Sequence, residues 1–219
     1  MMHREFWEAG YRIFPLWEID KHGNCTCGKE RCIGAGKHPR VTNWQQTPEW
    51  DEEQIEAMEQ YGSLATGYGV LCKGLLVVDV DARNGGIESY ERLLGLVPEI
   101  AGAGLVVNTG SGGGSKHLYF WVDENTSFLS HLTDYPGVDF RSGSSFVVGP
   151  GSRHKSGKVY STADGSPYDL TEIPDGLRAL LQRPERHRAD YNGSSLDVSH
   201  QDIADMLSCI LNNDLHYDD

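Results

Sequence analysis

Residues 75–81, Leu75-Leu76-Val77-Val78-Asp79-Val80-Asp81, constrain this chain more than any other segment. A short apolar run of branched residues, bounded by turn chemistry, predicts a buried β-strand. In a strand, residues i and i+2 point to the same face, so Asp79 and Asp81 project side by side. Two carboxylates that close resist joint ionisation unless a cation lies between them. A divalent ion that prefers hard oxygen ligands, Mg²⁺ or Mn²⁺, meets that demand. Taken alone, the segment also suits a strand end carrying two solvated aspartates.

The remaining composition narrows the class. At 219 residues and 38% hydrophobic content, the chain supports one sizeable domain and a little more. No apolar run approaches the ~20 residues of a membrane span. Residues 1–6 lack the apolar core of a signal peptide, so a cytoplasmic chain is expected, with no membrane partner. In that compartment five cysteines point to metal binding or burial rather than disulfides. The net charge of −13 is unevenly spread. Acidic residues crowd 49–59 and 185–219, whereas Arg141, Arg153, Lys155 and Lys158 lie in a stretch without any acid. The acidity therefore does not exclude nucleotide or polynucleotide binding.

Periodicity predicts helices over 3–14, 48–61 and 87–96, and strands over 68–71, 75–80, 105–108 and 117–122. Residues 137–141 and 146–148 read as a further strand pair, 158–161 as a short strand, and 170–182 as a turn running into a helix. The interleaving predicts a mixed α/β domain over 1–184, followed by a polar linker over 185–198.

Three further constellations carry chemistry. The first is the glycine-rich loop between Asn108 and Phe120, where consecutive glycines let backbone N–H groups approach an anion and Ser111, Ser115 and Lys116 add donors. It is not a Walker P-loop, because Ser115 and His117 stand at the wrong positions and a strand follows. The second is Gly137–Arg141, where Asp139 and Arg141 share a strand face. Asp139 supplies the third carboxylate that a two-metal site requires, and Arg141 offers a forked, permanently charged donor for phosphate. A surface ion pair would use the same two residues. The third is Cys25-x-Cys27-x₄-Cys32-x₅-His38, a full set of Zn²⁺ ligands inside the loop 23–40, which has no apolar core of its own. His22 competes with His38 for the fourth position, and Cys72 and Cys209 read as isolated buried thiols.

In this order, the segments resemble the archaeo-eukaryotic primase superfamily, and more closely its bifunctional primase-polymerase branch of phages, plasmids and prophages. The matching motifs are Leu76–Asp81, Ser115-Lys116-His117 and Val138-Asp139. Flanking agreement comes from Gly36-Lys37-His38-Pro39, Gly85-Gly86, Val147–His154 and Gly157–Tyr160, and the resemblance covers roughly residues 10–180. It implies an α+β fold in which an N-terminal α/β unit packs on a ferredoxin-like (RRM-like) sheet, with the active site in the cleft between. It further implies that Asp79, Asp81 and Asp139 hold two catalytic Mg²⁺ or Mn²⁺ ions, and that His117, with Ser115 and Lys116, grips the incoming triphosphate. Arg141, Ser152 and His154 would be secondary nucleotide contacts. One departure is Gly151, where the family often has a second proline.

The expected activity is templated nucleotidyl transfer from dNTPs or NTPs on single-stranded DNA. A metal-dependent nuclease or phosphohydrolase, or an inactive zinc-stabilised DNA-binding module of a helicase, would use overlapping residue types. Beyond the linker, Ser199 is a good N-cap, and Ile203, Met206, Leu207 and Ile210 fall on one helical face. Residues 199–219 resemble the start of the helical module that follows the catalytic domain in phage-type primases, which implies a fragment of a longer protein that carries a helicase; a C-terminal helix docked on the catalytic domain would use the same face.

Overall fold

Strand β3 (Leu75–Val80) is apolar at every position but Asp79 because both of its faces are covered. In a computed structural model, Leu75 and Val77 enter one core while Leu76, Val78 and Val80 enter another. The chain divides between residues 183 and 184, and the structure describes residues 2–182 except 61, 63 and 65, together with residue 199. The expected linker, the helical face of 203–210 and Cys209 lie outside the described residues.

Two antiparallel sheets organise the first unit. The three-stranded sheet has the order β1 (Ile13–Pro15), β2 (Tyr68–Leu71), β7 (Phe146–Val148). The five-stranded sheet has the order β6 (Val138–Ser142), β3, β5 (Lys116–Trp121), β4 (Leu105–Asn108), β8 (Ser161–Gly165). Between the sheets lies the first core, closed by Phe6 of α1 (Met2–Glu8) and Ile55 of α2 (Glu52–Gln60). The other face of the five-stranded sheet is covered by Tyr90 and Leu93 of α3 (Gly86–Leu96) and Leu177 and Leu181 of α4 (Asp175–Leu181).

Several sequence expectations are corrected. The helix predicted over 3–14 stops at Glu8, after which Gly10 turns the chain with a φ of 88° and Ile13–Pro15 pair with β2. The segments 137–141 and 146–148 are not partners of each other. β6 pairs with β3, and β7 pairs with β2 in the other sheet. The short strand expected over 158–161 instead runs over Ser161–Gly165. Helix α2 starts four residues after Pro48, because Asp51 and Gln54 exchange reciprocal hydrogen bonds of 2.8 and 2.9 Å, a capping box.

Helices α1 and α2 are tied by Glu59, whose carboxylate accepts hydrogen bonds of 2.8 and 2.7 Å from Arg4 and lies 2.7 Å from His3 Nε2. The Arg4 guanidinium, opposed by burial and helped by His3, holds the Glu59 carboxyl down at about 2. Its folded pKa lies below its unfolded value, so this stabilisation is complete above pH ~4.3 and lost as pH falls toward 2. Glu59→Gln should therefore flatten the acid limb of the stability curve between pH 5 and pH 2 in circular-dichroism melts. An equally steep limb in the variant would show that the pair does not link the helices energetically.

Candidate functional site

One transverse row of the five-stranded sheet assembles the polar centre. Val107 of β4, His117 of β5, Asp79 of β3 and Asp139 of β6 are successive register partners, so all four point to one face. That face fronts the first core, whose apolar filling gives way here to a cleft against Val147 and Val148 of β7. His117 Nε2 lies 3.4 Å from Asp79 Oδ1, and Arg141 Nε lies 4.0 Å from Asp79 Oδ2. Burial works to raise the Asp79 pKa, but His117, Arg141 and Lys37 together outweigh it and hold the carboxyl below its ordinary value.

The other two carboxylates each face a guanidinium. Arg141 Nη2 donates to Asp139 Oδ2 at 2.6 Å. Arg83 grips Asp81 in two-pronged fashion, Nε to Oδ1 at 3.0 Å and Nη2 to Oδ2 at 2.7 Å. Asp81 also caps the 3₁₀ turn Ala82–Asn84 through the Arg83 backbone N–H, and the Arg83 side chain is the main cause of its lowered pKa. Asp79 and Asp139 share Arg141 on one face of the sheet, and Asp81, just past the end of β3, holds Arg83, so two guanidiniums supply the positive charge these carboxylates demand. Sequence reading missed Arg83, although its place two residues after Asp81 was the available signal.

The glycine loop closes the other side. Gly110 passes so close to His154 that an added Cβ would fall 2.1 Å from the His154 Cβ, so only glycine fits. Ser156 fastens the contact, its Oγ donating to the Gly110 carbonyl at 2.7 Å and lying 3.0 Å from His154 Nδ1. Among the described residues, this leaves two buried imidazole nitrogens without a protein partner, His117 Nδ1 and His154 Nε2. Buried polar atoms are normally satisfied, so an orphan pair around a cleft fits a bound polar ligand. Tyr160, buried beside both rings, completes the wall.

Not every expected contact reaches the cleft. Lys116 is the register partner of Val80, so alternation sends it to the opposite face, where its ammonium lies 4.5 Å from the Tyr90 ring centre. The Ser115 hydroxyl is buried and accepts from Ala82 N at 3.0 Å, tying the glycine loop to the turn after Asp81. The Ser152 hydroxyl accepts from Tyr68 N at 3.1 Å, deep beneath β2. Ser111 remains on the loop, 2.6 Å from the Thr109 hydroxyl.

The cysteine loop forms a separate centre. Ligand atoms of Cys25, Cys27, Cys32 and His38 all lie within 4.8 Å of one another. His38 Nε2 is 3.2 Å from Cys25 Sγ and 3.3 Å from Cys32 Sγ, near the roughly 3.6 Å that a tetrahedral zinc site implies. Burial pushes the Cys32 thiol up to about 11, and Cys25 and Cys27 add to it, as expected of thiols crowded without a cation. The cluster can hold a metal such as zinc. His38 is the fourth member, and His22 lies outside the cluster, its backbone N–H on Asp20.

The molecule is thus a mixed α/β domain with antiparallel sheets and a polar cleft that gathers acids, guanidiniums and imidazoles. The family model for the N-terminal domain of bifunctional DNA primase/polymerases matches residues 3–176, and the chain belongs to this family. Membership implies DNA primase/polymerase activity in general, of the nucleotidyltransferase type, with DNA and nucleotides as substrates. No curated protein matches the chain significantly. Among the described residues, no helix is long and apolar enough to cross a membrane.

The metal centre has a direct test. Protein purified without chelators should carry about one zinc per chain by elemental analysis, falling near zero in Cys27→Ser. Binding needs thiolates and a neutral imidazole, so zinc should be released as pH falls. Zinc-free wild-type protein would remove the assignment.

Proposed function

We propose that the cleft is the active site of a primase-polymerase that makes and extends primers on single-stranded DNA from dNTPs or NTPs, in replication of a phage or other mobile element. The observation that carries this reading is the transverse row, in which Asp79 has His117 on one side and Asp139 on the other. Asp79, Asp139 and the adjoining Asp81 are hard oxygen donors already held with cationic partners, and that chemistry fits divalent ions. Two Mg²⁺ or Mn²⁺ ions bound there would activate the primer 3′-hydroxyl and neutralise charge on the triphosphate.

The chain's own groups then bind and orient. The orphaned nitrogens of His117 and His154 serve as donors or acceptors toward the nucleotide, and Arg141 provides a charged fork for its phosphates. The glycine loop carries Ser111 and backbone N–H groups toward the same ligand. Ser115 and Ser152 act as internal ties that fix the loops bearing His117 and His154.

We also read the five-stranded sheet as ferredoxin-like. The order β6-β3-β5-β4 and the α3 crossover between β3 and β4 support that reading, while residues 122–137 run without a helix where a second crossover would lie. A helicase is the natural partner, since the template must be single-stranded.

Labelled nucleotides supplied with a single-stranded template and Mg²⁺ or Mn²⁺ should yield extended primers. Asp79→Ala, Asp81→Ala and Asp139→Ala should each lower extension by at least about a hundredfold while leaving the fold intact. His117→Ala should act mainly through KM, raising it about tenfold. Near wild-type extension by any aspartate variant would remove the three-carboxylate assignment. Degradation of the template without added nucleotide would mark a nuclease instead.

A further inference from the structure

The zinc loop delivers one more cation to the cleft. Lys37 stands next to His38 in sequence, and its side chain lines the cleft with Asp79, His117, Arg141 and Tyr160. Its backbone has little latitude. Lys37 N donates to the Gly34 carbonyl at 2.8 Å, closing a turn. The preceding Gly36 has a φ of 72°, and an added Cβ there would lie 2.9 Å from Ile19 Cγ1 and 3.3 Å from the Arg153 carbonyl oxygen. The loop therefore threads between Ile19 and the 151–158 loop just before Lys37. On the other side, Trp17 N donates to the His38 carbonyl, and Arg40 N to that of Pro15, at 3.0 and 2.9 Å.

The ammonium at the end of this lever is uncommitted. Among the described residues, no hydrogen bond or ion pair within 4.0 Å engages the Lys37 side chain, whereas Arg83 and Arg141 are held by carboxylates and Lys116 faces the other side of the sheet. Lys37 is also solvent-exposed, so a ligand in the cleft can reach it. A mobile point charge on a flexible stem suits a phosphate that approaches from solvent.

We infer that Lys37 is a phosphate-binding residue for the incoming nucleotide, and that the Cys25/Cys27/Cys32/His38 centre sets its position, so that zinc occupancy governs nucleotide affinity. This rests on the proposed polymerase reading of the cleft. The zinc centre, on this view, is a structural support with a remote effect on substrate binding, although none of its ligands touches substrate.

The test is binding of dATP with Mg²⁺ to the full chain without DNA, by calorimetry, with zinc content measured in parallel. Lys37→Ala should weaken binding about tenfold or more while retaining wild-type zinc, and Lys37→Arg should recover much of the loss. Cys32→Ser should lose zinc and weaken binding to a similar degree. The double variant should be no weaker than Cys32→Ser alone, because both changes remove one interaction. Wild-type affinity in Lys37→Ala overturns the inference whether or not the cysteine variant folds. Zinc-free Cys32→Ser with wild-type affinity overturns the coupling. If wild-type protein binds no dATP, the polymerase reading fails first. If Lys37→Ala binds Mn²⁺ more tightly but dATP unchanged, Lys37 is only a counter-charge to the aspartates, and the inference is wrong.

Discussion

The register of β3 between β5 and β6 is the constraint on which the cleft depends. A slip of one residue would turn Asp79 into the apolar core under α3 and present Val80 to the cleft. Burying that carboxylate without a partner would be costly, and Leu76, Val78 and Val80 would lose their cover in the same step. The apolar side chains on the far face therefore fix the position of the charged ones on the near face. A polar site of this kind is placed by its core and then adjusted by its charges.

How much of this could be read from the chain depends on how local each signal is. β2, β3, β4 and β7 match their sequence readings residue for residue, because short apolar runs ended by Gly, Asn or Asp leave little choice. Strand pairing is not local. Residues 137–148 read naturally as one hairpin, yet their two strands enter different sheets, with Gly143 N bonded to the Cys72 carbonyl at the crossing. The mixed α/β class was legible from the interleaving alone, and the family came from the combination of motifs.

Within the cleft, the residues that alternate correctly were the legible ones. Asp79, His117, Asp139 and Arg141 sit on one face as the period of two demands. Lys116 obeys the same period and is therefore carried away from the cleft. Serine hydroxyls were the least legible, because nothing local distinguishes a ligand donor from an internal tie. Ser115 and Ser152 show the difference, each accepting a backbone N–H from a segment distant in sequence. Lys37 was hidden for the opposite reason, since only the path of a coreless loop brings it to the sheet.

The guanidiniums of Arg83 and Arg141 give the cleft the character of a tethered ion exchanger. A sodium ion neutralising a carboxylate diffuses away when displaced. Arg83, two residues from Asp81, cannot, and its effective concentration stays high whatever the bulk solution contains. Any cation entering the cleft must therefore outcompete an ion that never leaves. It does so most readily if it arrives with an anion that takes up the freed guanidinium. Such an arrangement resists exchange by simple salt ions, and it keeps the acids charge-matched.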